Sequence, residues 1–182
     1  MNLPVLRRGG VFLGAGIITV AALTAGTTAS ASPDTALPAP APASAPAVVT
    51  LNGARASQEA ANKRIATAFL DLAVNQKKPR EAAARYLGAP YIQHNPQLAD
   101  GKEAFVAWAE AFIAAAPEVR MDFKRVLADG DLVMLHSHVT TSPSDRGTAA
   151  ADILRLRNGR IVEHWDVLQA VPETSANGNT MF

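Results

Sequence analysis

The chain has 182 residues, a hydrophobic content of 48% and a formal net charge of +1 from 17 basic and 16 acidic side chains. That suffices for one ordinary globular domain, and it offers neither a basic stripe for nucleic acid nor a charge excess for an anionic membrane surface. With no cysteine, disulfides, thiolate metal sites and cysteine nucleophiles are excluded, so any metal would need His and carboxylate ligands.

Residues 1–31 have the build of a secretory signal peptide. Arg7 and Arg8 form a positive start, Val11 to about Ala25 form an apolar run, and Ala29-Ser30-Ala31 has the small-x-small pattern of a cleavage site. Cleavage is expected after Ala31, giving a secreted or periplasmic protein with no stable membrane insertion. The run is short for a spanning helix and contains Gly14 and Gly16. The Arg7-Arg8 pair leaves both the general and the twin-arginine export routes open. Residues 32–53, rich in Pro and Ala, read as a semi-rigid linker. A folded domain is expected over 54–171 and a tail over 172–182.

Three helices open the domain. Ser57 is the expected N-cap of the first, and Ala61, Ile65, Phe69 and Leu72 recur on one face, so the helix runs to about Asn75. Pro79 suits the first turn of a short helix ending at Leu87, before Gly88. Tyr91 to Pro96 is then a brief extended segment, with His94 at a loop rim, because Pro96 biases Asn95 away from helix. Phe105, Trp108, Ala109, Phe112 and Ala116 mark the buried face of a third helix that stops before Pro117.

Beyond Pro117 the period changes. Val119, Met121 and Phe123 alternate with Arg120, Asp122 and Lys124, which is a half-buried strand, and Asp129-Gly130 and Asn158-Gly159 are tight turns. The pattern predicts a four-stranded antiparallel meander with a polar loop at Thr141–Gly147 and helices covering one face, an α+β architecture.

Three of these strands, Asp131–Thr141, Ala149–Arg157 and Arg160–Gln169, carry most of the chemistry-bearing residues. His136 and His138 share a face with Leu132 and Met134, two residues apart and close enough to share a ligand. Asp152 lies in an apolar strand on the face of Leu154 and Leu156, where a carboxylate loses solvation and must find a partner or keep its proton. Asp152 with His136 and His138 is therefore the expected catalytic set. His164 and Trp165 alternate, so only one of them lines the pocket unless a bulge intervenes, and Asp166 is expected at the wet end. Tyr91, His94, Trp108, Phe112, Met134 and Leu154 complete the expected pocket wall. A metal site of His136, His138 and either His94 or Asp152 is a further reading of the spacing.

Tyr91-Ile92-Gln93-His94-Asn95-Pro96, Asp100-Gly101-Lys102-Glu103, and the stretch Asn158-Gly159-Arg160-Ile161-Val162-Glu163-His164-Trp165-Asp166 together resemble the SnoaL-like polyketide cyclase branch of the nuclear transport factor 2-like superfamily. The tail Ser175–Phe182 is similar to tails of that branch. The resemblance covers about Ala54 to Phe182. It implies a cone-shaped α+β barrel, three N-terminal helices packed in a strongly curved antiparallel sheet, in the nuclear transport factor 2-like or cystatin-like manner, usually dimeric through the sheet. It implies, without a cofactor, acid/base chemistry on a small apolar carbonyl compound, by aldol condensation, isomerisation or hydration. In that branch an acid/base Asp works with an assisting His, and Asp152 with His136 or His138 is the nearest equivalent. A binding protein that captures a hydrophobic ligand without turnover is the alternative.

Overall fold

The computed structural model describes residues 46–182. The expected signal peptide, its cleavage after Ala31 and the linker up to residue 45 lie outside the described residues. Helix α1 spans Pro46–Leu70 and passes into a π-helical turn at Asp71–Asn75. Its start is at Pro46, not Ser57, so residues 46–53, expected in the linker, form its first turns. Proline is tolerated in a first helical turn, and no other proline follows before Pro79 to stop the helix. Helices α2 (Pro79–Tyr86) and α3 (Lys102–Ala115) fall where the sequence predicts them. Among the described residues no helix is long and apolar enough to cross a membrane.

The sheet has five strands, in the order β1-β5-β4-β3-β2: β1 Leu87–Gln93, β2 Arg120–Asp129, β3 Leu132–Thr140, β4 Thr148–Arg157 and β5 Arg160–Ala170. Strands β2 to β5 form the expected antiparallel meander, with Gly130 and the Asn158-Gly159 pair at positive φ in its turns. The addition is β1, which runs parallel to β5, with Gln93 opposite His164. Gly88 therefore belongs to a strand and does not end a helix. Pro90 lacks a donor, and an edge strand is where a sheet tolerates that.

The helices cover the concave face of the curved sheet. Ala66, Phe69, Leu72 and Ala73 of the first helical segment pack with Phe105 and Ala109 of α3 and with Val133, Leu135, Leu154, Leu156 and Ile161 of the sheet. The π turn is held by Asn75, which donates to Met121 O (3.0 Å) and accepts from Met121 N–H (2.8 Å), so the end of the helix is tied to β2 as a strand would be. In β3 the buried residues are Val133, Leu135 and Ser137, so His136 and His138 point to the convex side. The tail returns over that convex side, and the Phe182 ring lies 4.3 Å from the His138 ring and 5.7 Å from that of His136.

Candidate active site

Register decides which side chains meet. Leu135 is opposite Asp152, Asp152 is opposite Asp166, and Leu154 is opposite His164. Opposed residues of neighbouring strands share a face, so Asp152, His164 and Asp166 all project into the concave side. A bulge at Val162, where Arg155 pairs with Glu163 and Leu156 with Ile161, lets both buried Ile161 and His164 face inward.

These residues form the polar end of a cavity with two adjoining chambers. The inner one, about 70 Å³, is walled by Phe69, Ala73, Val74, Phe105 and Ile113, with Tyr91, Gln93 and His164 at one end. The outer one, about 250 Å³, reaches the surface between the 95–98 segment and the 141–148 loop, with Leu168 at its rim. Leu98, Trp108, Phe112, Met121, Asp152 and Asp166 line both. The π turn opens the helix wall here, setting Ala73 and Val74 against the inner chamber.

Asp152 is 6% exposed. Its Oδ1 lies 3.1 Å from His164 Nε2, while its Oδ2 is buried with no hydrogen-bond partner. His164 Nδ1 is 3.0 Å from Gln93 Oε1, and that oxygen also accepts the Asn95 N–H at 2.9 Å. A backbone N–H can only donate, so Gln93 presents its oxygen and His164 must carry a proton on Nδ1. Nε2 and Oδ1 are then two acceptors face to face unless one proton lies between them. Asn95 is oriented the same way: its Oδ1 accepts Gln97 N–H at 2.9 Å, so its Nδ2 donates to both oxygens of Asp166, at 2.8 and 3.0 Å. Burial pushes the Tyr91 phenol well above its ordinary value, and the charges of Asp152 and Asp166 push it further. Tyr91 is thus a neutral phenol near two carboxylates, its oxygen accepting from Gln93 Nε2 at 3.5 Å.

Of the expected site residues, Asp152, His164, Tyr91, Trp108 and Phe112 are brought together at the cavity. Leu154 is fully buried in the core beneath it. His136 and His138 are not in the site: they face the convex side, where His136 Nδ1 meets Arg125 Nη1 at 3.1 Å and His138 Nε2 donates to Arg146 O at 2.8 Å. Met134 shares their face and is likewise outside the cavity. Trp165 is also on the convex side, stacked on His94 with ring centroids 4.6 Å apart, and His94 Nε2 pairs with Glu163 at 2.9 Å. The cause is common to His136, His138, Met134 and Trp165: their strands have a two-residue period, and a choice of face moves every side chain at once, while His94, just past β1, follows Trp165. The metal set built on His136 and His138 falls with them. Among the described residues, Asp152, His164 and Asp166 could hold a metal ion, with ligand atoms within 4.8 Å of one another.

Asp166, Gln93 and Asn95 belong to the candidate site by position, and sequence reasoning missed them. Their signal was the alternation Tyr91, Gln93, Asn95, visible once β1 is read as a strand, and the matching alternation of His164 with Asp166.

The family model for a SnoaL-like domain matches residues 66–164. Solved structures share the fold at low identity. A proposed polyketide cyclase from Acidithiobacillus ferrooxidans is 20% identical, with TM-score 0.52 over 59% of this chain and 87% of that one. An uncharacterized cystatin-fold protein from Novosphingobium aromaticivorans is 17% identical, with TM-score 0.52 over 58% and 97%. A SnoaL-like protein of unknown function from Burkholderia thailandensis is 15% identical, with TM-score 0.53 over 62% and 97%. A search of curated proteins found no match to the sequence.

Proposed function

This chain belongs to the SnoaL-like domain family, and from that premise we propose that it is an exported, cofactor-independent acid/base enzyme acting on a small apolar carbonyl compound. The observation that carries the reading is Asp152, a residue lining an apolar cavity: one carboxylate oxygen is held by His164, and the other is buried and unpartnered. A base in that setting is poised to take a proton α to a carbonyl. Asp152 Oδ2 accepts the proton, the C–H electron pair moves into the enolate, and the Tyr91 O–H donates to the enolate oxygen. His164 is the positioned partner: in the reacting state it holds the shared proton on Nε2, which leaves Asp152 ionised as the base, and the proton taken up on Oδ2 returns to carbon from there. Aldol closure, isomerisation and hydration all begin or end on such a step.

The test does not need the natural substrate. Full-length protein incubated with 2-tetralone in D₂O exchanges its α-hydrogens, followed by NMR, and Asp152→Asn abolishes the enzymatic part of that exchange. Exchange that is unchanged in Asp152→Asn sinks the mechanism. Binding of the ketone without any enzymatic exchange favours the alternative, a non-catalytic carrier, which the largely apolar wall of the cavity also supports.

Export with cleavage after Ala31 belongs to the same reading, supported by the Arg7-Arg8, apolar-run and Ala29-Ser30-Ala31 pattern. Amino-terminal sequencing of the exported protein checks it, and a mature chain that still begins at Met1 refutes it. A homodimer through the convex face is supported by an apolar row, Leu127, Met134, Ile153 and Trp165, in register across four strands.

A further inference from the structure

The cavity is short of positive charge. Among the described residues lining its chambers are three aspartates, Asp145, Asp152 and Asp166, and one histidine, with no lysine or arginine. Asp145 is already satisfied, since it accepts from Thr141 N–H, Thr141 O–H and Gly147 N–H. The orientation of Gln93 makes Asp152 and His164 share one proton, so that pair is neutral whichever atom holds it. Asp166 receives only the neutral amide of Asn95. The polar end therefore carries one uncompensated negative charge, and the buried Oδ2 of Asp152 lacks a donor. Nearby, Trp108 and Phe112 are stacked at 5.5 Å with 9° between their planes, and aromatic faces attract cations.

We propose that the ligand of this cavity is an apolar amine, bound as its ammonium. The ammonium N–H groups donate to the carboxylates of Asp152 and Asp166, which offer oxygens within 4.8 Å of each other. The hydrocarbon body lies against Trp108, Phe112, Leu98 and Met121. A metal ion could meet the same charge but has no use for those walls. The inference rests on the reading of the cavity as the ligand site and adds the ligand's charge; an aminoketone satisfies both.

The experiment is calorimetric titration of the full chain, in EDTA-containing buffer at neutral pH, with 1-naphthylmethylamine and its neutral isostere 1-naphthalenemethanol. The amine binds about tenfold or more tightly than the alcohol, a difference expected of a charge-assisted hydrogen bond in a poorly solvated site. In Asp166→Asn the preference collapses while the affinity for the alcohol is kept, which also reports an intact fold. Trp108→Leu, at a half-exposed position, lowers the affinity for both ligands alike and keeps the amine preference, because the hydrocarbon body they share lies against that ring. Equal affinity of the two ligands overturns the charge assignment and leaves the cavity reading standing; failure of both to bind overturns both. An amine preference that survives Asp166→Asn places the amine elsewhere and also overturns the proposal.

Discussion

At the scale of single residues, the site is governed by oxygens whose orientation backbone amides impose. Gln93 cannot flip while Asn95 N–H points at it, and His164 cannot change tautomer while Gln93 presents Oε1. Replacing Gln93 with Leu leaves two donors unanswered, at roughly 1–3 kcal/mol for each one that stays buried. Proton exchange in Gln93→Leu is expected to fall by about ten- to a hundredfold, and nitrogen NMR will show His164 Nδ1 losing its fixed protonation. Gln93→Glu, which keeps the acceptor, will restore the tautomer. Asp152→Asn removes the proposed base, and a loss on the order of a hundredfold to ten-thousandfold is expected in the same exchange assay. His136→Ala and His138→Ala, on the convex side, leave exchange within about twofold, as surface changes remote from a site usually do. A large loss in either would place a histidine of β3 back in the mechanism.

At the scale of elements, the loop between β3 and β4 forms one lip of the cavity, and local chemistry sets its shape. Gly147 has φ +80°, and a Cβ there would meet Val139 O at 2.4 Å. Gly147→Ala therefore strains the loop by about 1–3 kcal/mol, readable as a lower melting temperature. Asp145 holds the other end of the loop. Hydrogen bonds from the Thr141 N–H first, then the Thr141 O–H and the Gly147 N–H, bring its carboxyl from 3.8 down to about 2. A depressed carboxyl stabilises the folded state above its unfolded value and loses that contribution as pH falls toward the folded one. Hydrogen-exchange protection of the Thr141 and Gly147 amides is accordingly expected to hold above about pH 4 and to decline between there and about pH 2. Protection unchanged across that window would remove the Asp145 clasp from the account.

At the scale of the whole molecule, one sheet separates two surfaces of different composition. The concave face carries Asp152, His164 and Asp166 under the helices. The convex face carries the ladder Asp131–Arg155–Glu163–His94 with Trp165 between His94 and Arg155. If the apolar row Leu127–Met134–Ile153–Trp165 is a dimer seam, light scattering gives twice the chain mass, and Met134→Asp gives a monomer that retains proton exchange. A wild-type monomer at micromolar concentration rules the seam out.

How much of this was legible in the chain differs by kind of signal. Helical periodicity, the Pro79 start, the stop before Pro117, and the Asp129-Gly130 and Asn158-Gly159 turns are local, and each appears where the residues place it. So does the isolation of Asp152 in an apolar strand, because an acid among alanines and leucines is conspicuous without a fold. The family pattern in Tyr91–Pro96 and Asn158–Asp166 was legible for the same reason. What the residues left open was the direction of each face: His136 and His138 had apolar neighbours on one side, Ser137 had them on the other, and a strand's alternation is symmetric under exchange of its two faces. Packing under the helices resolved that by burying Leu135 and Ser137, while the bulged β4–β5 pairing brings Asp166 opposite Asp152 and the parallel pairing of β1 with β5 seats Gln93 against His164. Local composition is written residue by residue and can be read that way. Which carboxylates, imidazoles and amides share a cavity is a property of long-range strand register, and only the tertiary structure decides it.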